Sequence, residues 1–186
     1  MYLIAGANGC GKTTFAKELL KDEPALVFVN HDEIVAKLGD EVGIRSGKRF
    51  FKILDDIFEN KSSFAMESTI AGTYHKRIME RAKKAKYEII MVYVFLDFPD
   101  LGIARVYKRV ADGGHYVAPV DVVRRFYRSR TNFSGTVLLA DRWKLYYNGD
   151  NNYELVAKSD GQVVQVVDES LYNQFKKDLK GEKDGL

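Results

Sequence analysis

Gly6-Ala7-Asn8-Gly9-Cys10-Gly11-Lys12-Thr13 decides how this chain is read. The apolar run Tyr2-Leu3-Ile4-Ala5 leads into it, and Thr14-Phe15-Ala16-Lys17-Glu18-Leu19-Leu20 continues it with helical spacing. The pattern G-x-x-x-x-G-K-S/T between a strand and a helix is a phosphate-binding loop. Its glycines let the loop curl until successive backbone N–H groups point inward, and the helix starting near Lys12 adds the positive end of its dipole. Lys12 is expected to reach the β- and γ-phosphates, and the Thr13 hydroxyl to ligate the magnesium that bridges them. Residues 6–14 are thus expected to bind ATP with Mg2+.

Outward from the loop, the chain has 186 residues, 46% hydrophobic and 30% charged, the length and composition of one soluble domain with a sizeable core. No apolar run approaches the roughly 18 residues of a membrane span, and the N-terminus enters a strand directly, leaving no room for a signal peptide. A cytoplasmic protein with no membrane partner is expected. Cys10 is the single cysteine, which excludes an intrachain disulfide framework and fits a reducing compartment. Its place at a helix N-terminus can lower a thiol pKa and make an oxidation switch, while a small residue tolerated in the loop is the plainer reading. The net charge of +3 does not demand a nucleic-acid partner.

Strand-like and helix-like segments alternate along the chain. Strands are expected at Tyr2 to Ala5, Ala25 to Val29 (buried), Phe64 to Met66 and Tyr87 to Leu96 (central), with helices of 10 to 20 residues between them. This is the α/β pattern of a P-loop fold, a mostly parallel sheet with helices on both faces. Two further helices carry the arginines, one through Arg105 and Arg109 and another from about Val120 to Ala140. After Asp141 the pattern becomes strands and turns, read as a small extension over about 141–179 of the one domain spanning 1–186. Residues 180–186 are expected to fray.

Ligands of such sheets gather beyond the carboxyl ends of the strands, so the loop, Asp32, and Glu67 with Thr69 are expected around one crevice. Asp32 can take a proton from an attacking hydroxyl or help hold magnesium; it can equally cap the short helix from Glu33 to Leu38. Glu67 can be a site carboxylate or a polar strand end. Asp97 mimics a metal-orienting aspartate after its strand, but Pro99 favours a helix cap. Arg105 and Arg109 share a helix face, as do Arg124 and Arg128, and Gly113-Gly114-His115 between them permits a hinge. Two arginine-bearing helices around a glycine turn suit a lid over about 105–130, since guanidinium groups pair bidentately with phosphoryl oxygens. Trp143, Tyr146 and Tyr147 can stack on a base, although an aromatic strand in the core is the better reading.

Taken together, Gly6 to Thr14, Asn30-His31-Asp32-Glu33-Ile34 and Glu67-Ser68-Thr69-Ile70-Ala71-Gly72 resemble the strand-end motifs of the zeta-toxin family of P-loop kinases. The likeness continues through Arg105 to Val117, Arg124-Arg125-Phe126, Ala140-Asp141-Arg142-Trp143 and Tyr146-Tyr147-Asn148, motifs most similar to the stand-alone, chromosomally encoded branch. The resemblance implies transfer of the γ-phosphate of ATP to a sugar hydroxyl, in the founding toxins that of UDP-N-acetylglucosamine, with an antitoxin as possible partner. It implies Asp32 as base, Lys12 and Arg109 on the phosphoryl group, and Glu67 with Thr69 at the acceptor. Arg105, Arg124 and Arg125 all qualify as the second lid arginine. Cys10, Ser46-Gly47-Lys48 and Ala118-Pro119 depart from the family pattern, which bears on the acceptor more than on the phosphate chemistry.

Overall fold

The computed structural model describes residues 1–38, 44–150 and 152–180; the side chains of Asp32, Ala36, Lys37, Leu38, Ile44, Asp178 and Lys180 are also outside the description. Strand β1 (Tyr2–Ala5) feeds the loop and helix α1 (Lys12–Asp22), followed by β2 (Val27–Val29), α2 (His31–Leu38), α3 (Ile44–Glu59), β3 (Phe64–Ser68) and α4 (Tyr74–Lys84). Next come β4 (Ile90–Phe95), α5 (Pro99–Ala111), α6 (Pro119–Val137), β5 (Arg142–Tyr147), β6 (Glu154–Ser159), β7 (Val164–Val166) and α7 (Glu169–Lys180). They build a seven-stranded sheet in the order β2-β3-β1-β4-β5-β6-β7. The five strands from β2 to β5 pair in parallel, and β6 and β7 add on antiparallel.

Alternation along β1 shows why helices cover both faces. Leu3 and Ala5 point into the large core with Leu54 of α3, Met79 of α4, Phe133 of α6 and Phe175 of α7. Ile4 points the other way, onto Ala16 of α1 and Ala65 of β3. Each such fully buried aliphatic side chain is worth about 1.5–3 kcal/mol relative to exposure. The register Ile4↔Glu67 and Ala5↔Ser68 brings the carboxyl ends of β1 and β3 level, which sets the phosphate loop beside Glu67.

Several expectations are revised. β2 is a short edge strand, not a buried one, with Val27 exposed and only Val29 buried. β5 pairs in parallel with β4 and so belongs to the main sheet, leaving β6 and β7 as the extension. Its parallel direction follows from α6, which crosses back over the sheet before it. Helix α2 begins at His31, and Asn30 supplies the capping oxygen, accepting the Glu33 N–H at 3.4 Å, so Asp32 is no cap. Asp97 is neither cap nor neighbour of the loop: Phe98 occupies the cap position, while the Asp97 carboxylate accepts hydrogen bonds from Tyr147 and, at 2.7 Å, from Gln174 of α7. The expected fraying of the tail beyond Lys180 concerns residues outside the description.

Candidate active site

Beyond the carboxyl ends of β1, β2 and β3 lies one cavity of about 860 Å³. The loop residues Asn8, Gly9 and Gly11 to Thr14 line it together with Asn30, His31, Glu67 and Thr69, so the three strand ends do meet in one crevice. Gly11 adopts φ 99°, a left-handed value that glycine reaches without strain, and α1 starts at the next residue. The loop is closed on itself, with Lys12 Nζ donating to the Ala7 carbonyl at 2.7 Å. Thr13 Oγ1 donates to Glu67 Oε2 at 3.1 Å, and Asn30 Nδ2 to Glu67 Oε1 at 3.3 Å. Glu67, inside β3 rather than in a turn, is therefore held against the loop from a neighbouring strand.

Thr69 enters the cavity wall just before Ile70, whose φ of 47° is unfavourable for a β-branched residue. The turn is over-determined: Ile70 is fully buried, its N–H donates to Ser68 Oγ at 3.0 Å, and its carbonyl accepts from Asn132 Nδ2 at 2.8 Å. Strain of this kind, about 1–3 kcal/mol, persists where the surroundings enforce it, and here it fixes the direction of Thr69. Asp32 falls on the first turn of α2, just past the carboxyl end of β2, with its side chain outside the description.

Helices α5 and α6 pack on each other through Val106 and Val122, with Val117 of their connection, and present Arg105, Arg109, Arg124, Arg125 and Arg128 to the cavity. Their partners separate them into roles. The Arg105 guanidinium, expected at phosphate, is engaged by carbonyl oxygens: Asn148 at 2.9 Å, Gly149 at 2.8 Å and Gly9 at 3.4 Å. It braces the loop rather than standing free for a ligand. Arg109 donates to the His115 carbonyl at 2.9 Å, and its Nε is buried without a partner. Arg124 is paired with Asp121 on its own helix at 2.7 Å, and Arg125 reaches Asn8 Oδ1 at 3.5 Å. At Gly102 helix α5 is in backbone contact with the loop; a Cβ there would lie 2.7 Å from the Asn8 carbonyl oxygen.

Sequence reasoning missed the groups that hold the loop from behind. Asn148 Nδ2 donates to the Cys10 carbonyl at 2.9 Å, and Tyr153 Oη to the Gly11 carbonyl at 2.6 Å. Tyr153 also sits edge-on to Phe15 of α1, ring centroids 5.4 Å apart. A wall of Phe50, Phe51, Tyr74 and His31 on the β2–β3 side was missed too. Trp143 is not in this cavity; it packs on Phe133 in the core. Cys10 is wholly buried and burial pushes its thiol up, which opposes activation by the helix N-terminus and agrees with the plainer reading of a small residue tolerated in the loop.

A strand, a glycine-rich loop and a helix opening on Lys12 and Thr13, at the carboxyl edge of a parallel sheet and faced by arginine-bearing helices, define a P-loop α/β fold. Comparison with solved structures finds the same fold in other proteins. A chain of the AvrRxo1-ORF1:ORF2 complex crystallised with ATP superposes on all of this chain with TM-score 0.75 at 18% identity. The same complex with sulphate ions gives 0.75 at 17% identity over 98% of this chain. In both cases this chain spans only 65% of the length of the chain it matches. A chain of the PezAT chromosomal toxin–antitoxin system of Streptococcus pneumoniae gives TM-score 0.67 at 15% identity, covering 99% of this chain and 80% of that one. In sequence, an uncharacterised protein of Haemophilus influenzae is 25% identical over 126 residues, 66% of this chain and 88% of that protein. No protein-family profile matches the chain. Among the described residues no helix is long and apolar enough to cross a membrane.

Proposed function

We propose that this protein is a kinase that moves the γ-phosphate of ATP to a hydroxyl of a small molecule, with Asp32 as the base. The observation that carries the reading is the convergence in one cavity of the phosphate loop, Glu67 and a set of arginines from two helices. A volume of about 860 Å³ is at the upper end of ligand pockets, which suits two substrates side by side. Loop amides and Lys12 would bind the triphosphate. Thr13 Oγ1 and Glu67 Oε2, 3.1 Å apart, are the hard oxygen donors that suit magnesium, which keeps most of its waters and needs one or two protein ligands. Bound there, the ion would neutralise charge on the phosphates. Arg109, with its unpartnered Nε, and Arg124 or Arg125 would reach the transferring group on closure, a contribution worth about 10³ to 10⁵ in rate.

The acceptor proposed is a nucleotide sugar such as UDP-N-acetylglucosamine, as the motif resemblance implies, lying along Thr69 and the ring wall of Phe50, Phe51 and Tyr74. That same wall supports a second reading, a nucleoside or nucleotide kinase, because flat rings stack on bases. A cytoplasmic setting and an antitoxin partner are part of the proposal by the same likeness. The test is transfer from γ-labelled ATP with magnesium to UDP-N-acetylglucosamine and to a panel of sugars and nucleosides. One labelled acceptor, lost in Asp32→Asn with ATP binding retained, supports the kinase and its base. Slow hydrolysis without an acceptor, indifferent to Asp32→Asn, refutes both.

A further inference from the structure

Strand β7 contributes no residue to the core. Val163, Val164, Val166 and Val167, in and beside it, are 61, 47, 39 and 59% exposed. It ends the sheet, paired with β6 on one side only. Natural proteins blunt such edges with charge, proline or a covering element. Residues 162–167, Gln-Val-Val-Gln-Val-Val, hold neither charge nor proline, and α7 leaves them to pack on α6 and the core through Phe175.

The segment Val163-Val164-Gln165-Val166-Val167 reads the same in both directions. A two-fold axis through Gln165 therefore pairs it with itself, antiparallel, with valine facing valine at every position off the axis. Backbone direction agrees with this. The Val167 N–H donates to the Val156 carbonyl of β6 at 2.9 Å, in the register that sets Gln165 opposite Lys158. By the alternation of an antiparallel ladder, the N–H and C=O of Gln165 face β6, and those of Val164 and Val166 face outward. In a two-fold pairing at Gln165 the hydrogen-bonded partners are Val164 of one copy and Val166 of the other. The open groups are thus the ones the symmetric ladder uses.

We propose that β7 is a self-association edge, through which two copies of this chain pair antiparallel over residues 163–167 and join their sheets into one. An unrelated partner strand would have no need of the palindrome, and a charged one would leave its charges facing valine. One short strand pair buries much less than the roughly 1,200 Å² of a stable interface, so the dimer forms at high micromolar rather than nanomolar concentration.

The sequence offers a clean probe, because the single native cysteine, Cys10, is wholly buried. At the proposed axis the two Gln165 positions form a non-hydrogen-bonded pair with Cα atoms about 4.5 Å apart, within disulfide reach. Under mild oxidant, Gln165→Cys is expected to form a linked dimer about tenfold or more faster than Asn173→Cys on the exposed face of α7, because pairing raises the local thiol concentration. Adding Val166→Lys should return the rate to that of the control, and Val164→Lys should do the same, with unchanged circular dichroism melts showing that the fold is intact. Sedimentation velocity of the unmodified protein should show the dimer fraction rising with concentration. Equal cross-linking rates, or a monomer at every concentration, overturn the proposal and leave the edge to an extended segment of a different protein. A dimer that survives both lysine substitutions overturns it as well, by placing the interface elsewhere.

Discussion

Replacing Gly102 by alanine puts a methyl group between helix α5 and the phosphate loop. In an exposed helix this change stabilises by about 1 kcal/mol, because glycine is the poorer helix former. In α5 the new Cβ would lie 2.7 Å from the Asn8 carbonyl oxygen, well inside van der Waals contact, and the opposing atom is backbone that no rotamer change can move. Overpacking of this kind costs about 1–3 kcal/mol, so after the propensity gain the net loss is about 0–2 kcal/mol. For a chain of this size that is a fall in Tm of up to about 8 °C. Gly47 in α3 is the matched control: a Cβ there meets nothing within 4 Å, so Gly47→Ala should raise Tm by about 2–4 °C. The steric strain falls on Asn8 and Gly9, whose amides belong to the cradle, and ATP binding should weaken about tenfold in Gly102→Ala, the loss of roughly one charge-assisted hydrogen bond. Differential scanning calorimetry and titration calorimetry with ATP read the two effects. If Gly102→Ala melts higher than the parent and binds ATP equally well, the backbone contact between α5 and loop is not there.

Three further outcomes follow from the same structure. Asp97→Ala removes the acceptor of Tyr147 and Gln174 and should cost about 2–4 kcal/mol without changing the magnesium dependence of phosphate transfer; a large rise in the magnesium requirement would restore Asp97 as a metal residue. Burial holds His75 at about 4, against an ordinary value of 6.5, so the unfolded chain takes up a proton there that the folded one refuses. Its contribution is present above about pH 6.5 and is lost as pH falls toward 4, at up to about 1.4 kcal/mol per pH unit, and acid melts of His75→Gln should show a shallower slope than the parent. Cys10 should react with a thiol reagent orders of magnitude more slowly in the native protein than in denaturant, since it is both sealed off and held in its thiol form; equal rates would revive the oxidation switch.

What the sequence made legible is what is carried by near neighbours. Gly6 to Thr13 announces itself, and β1, β3 and β4 are apolar runs whose ends can be aligned once the sheet is taken as parallel. Asp97 was misread because Pro99 two residues on is a strong local cap signal, whereas its real partners, Tyr147 and Gln174, lie 50 and 77 residues away. Asn30 outcompeted Asp32 as the cap by one turn-start's difference, a distinction that propensities do not resolve. β5 was grouped with β6 and β7 because turn residues link all three in sequence, while its direction depends on α6 crossing the sheet. Arg105 looked like its lid companions because sequence spacing shows a helix face but not which carbonyls wait opposite it.

Asn148 and Tyr153 grip the carbonyls of Cys10 and Gly11 across 138 and 142 residues of chain. A ribosome therefore completes the whole phosphate-binding motif well over a hundred residues before it makes the struts that shape it. A nascent chain stopped before Asn148 carries every residue of the nucleotide signature without the tension that holds it open, and is expected not to retain ATP. Competence in this protein thus waits on the hairpin β5–β6, which closes over a loop made long before it.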